Sequence, residues 1–115
     1  MSRHSFFLLA ALMAIGTVRA QSGHPYKLNW NVAGEELVYR SCGCADSCWV
    51  AEVRRIKQKQ SIKATLRCDC EKLYFSEAKG VEKMVAEDCD AFNGDEKMEQ
   101  IPKRIKELQS AEREE

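Results

Sequence analysis

The residues in this chain whose types and spacing could do chemistry are its cysteines. Cys42, Cys44, Cys48, Cys68, Cys70 and Cys89 all follow Ser41, and five of them lie between Cys42 and Cys70. Thiols this dense either pair as disulfides or bind a metal as thiolates. The spacing C-x-C-x3-C, then C-x-C, brings sulfurs close enough to chelate, as zinc and copper sites do. It lacks the paired C-x2-C knuckles of a zinc site. An even count in a short exported chain reads instead as a disulfide framework, with no metal and no cofactor. Residues i and i+2 of a strand face the same side, so Cys68 and Cys70 share a face if that segment is extended. A bond inside one C-x-C needs a tightly bent chain. The favoured pairing therefore joins Cys42 and Cys44 to Cys68 and Cys70, in either order, and leaves Cys48 with Cys89.

Residues 1–20 read as an export signal, which would carry the thiols to an oxidising compartment. Arg3 and His4 open it, Phe6 to Ile15 form an apolar run, and Val18 and Ala20 place cleavage after Ala20. The run is about half the length of a membrane span. Cleavage leaves residues 21–115, a single secreted, extracellular cysteine-rich domain of 95 residues. Arg3 and Arg19 leave with the signal, so 16 basic side chains face 18 acidic ones. A balance so near neutral points to neither nucleic acid nor an anionic membrane as partner. No second apolar segment follows, so a soluble monomer with no membrane span is expected.

Catalysis lacks its parts. His24, beside Pro25, is the one histidine after the signal, and there is no H-E-x-x-H. With every thiol paired, no nucleophile is left over, and an enzyme is not expected.

Two strands must position the cysteines. Trp49, Ala51 and Val53 alternate with Glu52 and Arg54. From Ile62 to Glu71 the alternation is strict, with Ile62, Ala64, Leu66, Cys68 and Cys70 on one face. Pairing Lys57 with Ile62 sets Val53 against Leu66, Ala51 against Cys68 and Trp49 against Cys70. Burial selects this register or one shifted by two, since a one-residue slip would turn an apolar face to water. Val81 to Asp88 suits either a weak third strand or a helix stripe, and Gly80 before it favours the strand. After the break at Asn93-Gly94-Asp95, Met98, Ile101, Ile105 and Leu108 form a helical stripe. Pro102 would kink that helix or start it. The expected fold is a small disulfide-rich α+β domain. It has a β-hairpin or three-stranded meander over about 49–58, 61–75 and 81–87, and a C-terminal helix over about 96–110. Residues 21–28 read as a flexible arm and 111–115 as a frayed charged tail.

One feature remains on the hairpin. Arg54, Arg55, Lys57, Lys59, Lys63 and Arg67 crowd it. Such a run is either a solvated face that keeps an edge strand from aggregating or a cationic contact for an acidic extracellular target. In composition the chain resembles the cysteine-rich polypeptides of venoms and secretory glands: a signal, six cysteines and a charged hairpin. The resemblance implies a toxin-like effector that binds a channel or receptor, with Arg54, Arg55, Lys57, Lys59 and Lys63 as the target-binding residues. The alternatives are a secreted protease inhibitor, inserting Ser41–Ser47 or Ser76–Gly80 into its target, and an extracellular signalling or structural module. The C-x-C spacing also occurs in netrin-like metalloprotease inhibitors. Their inhibitory mode needs a cysteine at the mature N-terminus, where Gln21 stands here.

Overall fold

The computed structural model describes residues 24–59, 61–78 and 80–113. The expected signal peptide, residues 1–20, lies outside them.

Six strands follow one another: β1 (Tyr26–Leu28), β2 (Glu35–Gly43), β3 (Cys48–Arg55), β4 (Ile62–Asp69), β5 (Leu73–Glu77) and β6 (Lys83–Ala86). They form one antiparallel sheet in chain order. A 3₁₀ turn at Asp90–Phe92 leads to the helix α1 (Lys97–Arg113). The α+β disulfide-rich class is as expected, but the sheet is twice the width of a three-stranded meander. The flexible arm expected over 21–28 is corrected at Tyr26–Leu28, which pair with Tyr39, Val38 and Leu37 as an edge strand. The helix runs past the expected end at 110, so Ala111, Glu112 and Arg113 belong to it rather than to a frayed tail. It begins five residues before Pro102 and continues through it, so proline does not start this helix.

The alternation of β3 and β4 builds one face of the core. Leu37 and Tyr39 of β2, Trp49, Ala51 and Val53 of β3, and Ala64, Leu66 and Cys68 of β4 are buried on it. Leu73 and Phe75 of β5 complete the face. Ile101 and Ile105 of α1 are fully buried against it, and Met98 and Leu108 are half-buried at the margins. Burying one such isoleucine contributes about 1.5–3 kcal/mol, so the helix is held by its stripe. The pairing of β3 with β4 sets Trp49 against Cys68, Ala51 against Leu66 and Val53 against Ala64. This is the expected register shifted by two, which keeps Trp49, Ala51, Val53, Ala64, Leu66 and Cys68 on the same face.

The sheet has two ends. At one, the β2–β3 and β4–β5 turns meet the start of α1, and the cysteines gather there. Cys42 pairs with Cys48, Cys44 with Cys70 and Cys68 with Cys89. Only the Cys44–Cys70 link fits the expected pairing; the other two correct it. Cys42 and Cys48 close the β2–β3 hairpin on itself. Cys68 sits in the core face and meets Cys89 as the chain returns toward α1. Cys70 does not share that face, because β4 ends at Asp69 and Cys70 takes a left-handed backbone, φ +84°. Gly43, Cys44, Ala45 and Asp46 also have positive φ. Each non-glycine residue in that region costs about 1–2 kcal/mol, which the crosslinks must hold in place. The other end holds the β3–β4 turn, the β1–β2 connection and the β5–β6 turn.

Candidate functional site

The basic residues singled out in the sequence lie at this second end, and the fold divides them. Arg54 returns to its own strand: its guanidinium donates to Glu52 Oε1 at 2.6 and 3.1 Å. Glu52 is 9% exposed and lies 3.9 Å from Arg40 as well, so its charge is shared. Lys63 donates to Glu35 Oε2 at 2.6 Å, and Trp30 Nε1 donates to Glu35 Oε1 at 3.0 Å. Burial pushes the Glu35 carboxyl upward, but those two hydrogen bonds and the charges of Lys63 and Arg55 outweigh it and hold the pKa below the usual range. Arg55 donates to Ser61 Oγ at 3.4 Å across the mouth of the turn. Arg67, further along β4, is held by Glu82 at 2.6 and 2.8 Å and lies 4.6 Å from the Tyr74 ring centre.

What remains outward is the tip. Arg55 N–H bonds the Ser61 carbonyl at 2.9 Å, Ser61 N–H bonds Gln58 at 3.1 Å, and Lys59 turns the chain with φ +56°. Ile56 N–H bonds the Gly34 carbonyl at 2.9 Å, anchoring the tip to the β1–β2 connection. Lys57 and Lys59 are exposed, and their ammonium groups have no partner among the described residues. Ile56 and Ile62 are 48% and 42% exposed beside them.

Compared with protein-family models, with characterised proteins and with solved structures, the chain matches none.

The site therefore rests on geometry. Of the five expected target-binding residues, Lys57 and Lys59 are presented, Arg55 lines the mouth of the turn, and Arg54 and Lys63 are neutralised within the fold. Sequence reasoning missed the isoleucines. Ile62 was expected on the core face with Ala64 and Leu66. The pairing passes from Val53–Ala64 to Arg54–Ile62, so Lys63 is an extra residue in the ladder. This bulge reverses the alternation and turns Ile62 outward. An uninterrupted apolar–polar pattern carries no mark of it.

The loops considered for protease inhibition are placed differently. Ser41 belongs to β2, and residues 43–46 run through consecutive positive φ values. An extended stretch of the kind that pairs with an enzyme as an added strand needs φ near −120°. Ser76 and Glu77 end β5, and residue 79 lies outside the described residues. His24 is exposed near the first strand. Among the described residues no group of histidine, cysteine and carboxylate side chains is arranged to hold a metal. No described helix is long and apolar enough to cross a membrane. Three disulfides in so small a chain are typical of extracellular proteins.

Proposed function

We propose that this chain is an extracellular toxin-like effector that binds a protein target, a channel or receptor, through the tip of the β3–β4 hairpin. It acts by binding and not by catalysis. The observation that carries this reading is the contrast within one run of charge. Arg54 and Lys63 are neutralised by Glu52 and Glu35, while Lys57, Lys59, Ile56 and Ile62 point outward. Ion pairs at the base stiffen the hairpin before it meets anything, which lowers the ordering cost of binding. Exposed ammonium groups attract an acidic target and steer its approach. The aliphatic pair supplies the apolar contact that charge alone does not.

The test is binding of labelled protein to cells that each express a single channel or receptor. Saturable binding to a member of the panel, weakened at least tenfold by Lys57→Glu with Lys59→Glu, is the expected result. The variant should keep the circular dichroism of the parent, because neither ammonium group has a partner among the described residues. Undiminished binding by the double variant would remove the tip as the contact. Stoichiometric inhibition of a protease would replace this reading with the inhibitor alternative.

A further inference from the structure

We propose that the Cys44–Cys70 bond is a thiol-exchange site. Of the three disulfides, it is the one that an external dithiol opens while the sheet and helix stay folded.

The three bonds sit in different surroundings. Cys68 and Cys89 are 1% and 6% exposed, so a thiolate from solvent has no approach to that bond. Cys42 and Cys48 are reachable, but paired strands hold them side by side. Gly43 is registered against Cys48, and the two cysteine Cα atoms are 4.9 Å apart. Neither has a positive φ. If that bond opened, its thiols would stay adjacent and close again. The Cys44–Cys70 bond joins two turns instead. Cys44 is exposed and Cys70 half-buried. Both anchors are left-handed, φ +54° and +84°, and so are Ala45 and Asp46 beside them. L-residues disfavour that region. Opening the bond releases these residues to relax, and reclosure needs the loop to regain a conformation it resists.

The chemistry balances as ordinary exchange. A thiolate of the dithiol attacks the exposed Cys44 Sγ. The protein S–S bond breaks, and Cys70 leaves as a thiolate that takes a proton from water. The second thiol of the reagent then attacks the mixed disulfide, releasing Cys44 as a thiol and the reagent as its own disulfide. Two electrons pass from reagent to protein. Besides the Ser47 N–H bond to the Cys44 carbonyl at 2.9 Å within the turn, two hydrogen bonds tie the loop to its surroundings: Cys70 N–H to the Ser47 carbonyl at 2.8 Å, and Lys97 Nζ to the Asp46 carbonyl at 2.9 Å. Opening the bond loosens both, and with them the cover that Asp46 and Lys97 give to Tyr39 and Trp49, whose ring centres lie 5.2 and 5.6 Å from Lys97 Nζ.

The experiment is graded reduction of the intact protein with dithiothreitol, quenched by alkylation and mapped by peptide mass. Cys44 and Cys70 should be alkylated together at least ten times faster than the other four, with the sheet signal in circular dichroism unchanged at that stage. Earlier labelling of Cys42 and Cys48 would overturn the proposal, as would labelling of all six together with loss of the sheet. Ala45→Gly with Asp46→Gly relieves the left-handed backbone without touching a sulfur, and should slow the opening several-fold. An unchanged rate in that variant would overturn the assignment of the loop backbone as its cause.

Discussion

The two ends of the sheet are built on opposite principles. At the cysteine end, three covalent bonds fix two turns and the approach to α1, and the backbone between them adopts angles that L-residues resist. At the hairpin end nothing is covalent. Glu35, Glu52, Ser61 and the Gly34 carbonyl fix the base through hydrogen bonds and ion pairs. Covalent closure tolerates an unfavourable backbone conformation and consumes the side chains that make it. Polar closure carries a single left-handed non-glycine residue, Lys59, among the described residues, and it leaves the side chains beyond it free to meet another molecule. The end that is most tightly tied is therefore not the end that leaves Lys57, Lys59, Ile56 and Ile62 exposed.

The largest test of this contrast is to cut one tie. Replacing Cys68 and Cys89 by alanine removes a buried crosslink closing 21 residues. It should cost about 3–5 kcal/mol in urea denaturation. The same change at Cys44 and Cys70, which closes a longer span of 26 residues, should cost only about 1–2 kcal/mol, because release of left-handed residues offsets the lost crosslink. Equal losses would show that the loop backbone stores no strain.

A smaller effect belongs to the hairpin end. Glu35→Gln weakens the contacts to Lys63 and Trp30 and should cost about 1 kcal/mol. The corresponding acid sensitivity has a definite sign. A carboxylate whose folded pKa lies below its unfolded value adds stability at neutral pH and loses it as the pH falls through the folded value. The protection of amides around Arg55 and Lys63, relative to their intrinsic exchange rate at each pH, should therefore fall as the pH drops below the usual glutamate range, and the Gln variant should lack that step. The smallest effect lies toward the cysteine end. Burial first, then the neighbouring Tyr26 and Asp46, push the Tyr39 phenol up to about 12. A phenol raised in the folded state adds stability below its unfolded pKa, which is lost between about pH 10 and about pH 12. Phenolate absorbance should show Tyr39 titrating well above the ordinary tyrosine range near pH 10. Titration of Tyr39 within that range would mean that its phenol is not sealed.

The strand parity of β3 and β4 was legible because the alternation through Ala64, Leu66 and Cys68 leaves one apolar face, and both allowed registers keep it. β5 was seen only as an apolar knot, Leu73-Tyr74-Phe75, since three large residues suit a strand or a core turn alike. β1 and the start of β2 were obscured for a different reason. Tyr26–Leu28 is too short to show a period, and its pairing depends on Leu37 to Tyr39, which β3 must first hold in place. The disulfide partners were illegible beyond their number. Cys70 looks like a continuation of Cys68 until the chain turns at φ +84°, a conformation that no neighbouring glycine announces. In the candidate site, charge was visible in the sequence, but which charges are neutralised was not. Lys63 finds Glu35 across 28 residues, and the bulge that frees Ile62 leaves the residue pattern unaltered.

The order of the strands has one more consequence. Each strand of the sheet pairs only with its neighbours in the chain, and no connection crosses another. Every hairpin closes a short loop, so the entropy lost in each closure is small. Contact order is kept low for a sheet this wide, and low contact order favours rapid folding. The same topology carries Cys42 to Cys48 within a single hairpin and Cys44 to Cys70 across two adjoining ones. The meander thus serves as its own template for oxidation: local pairing sets Cys42 beside Cys48 and brings the two turns that carry Cys44 and Cys70 to the same end of the sheet.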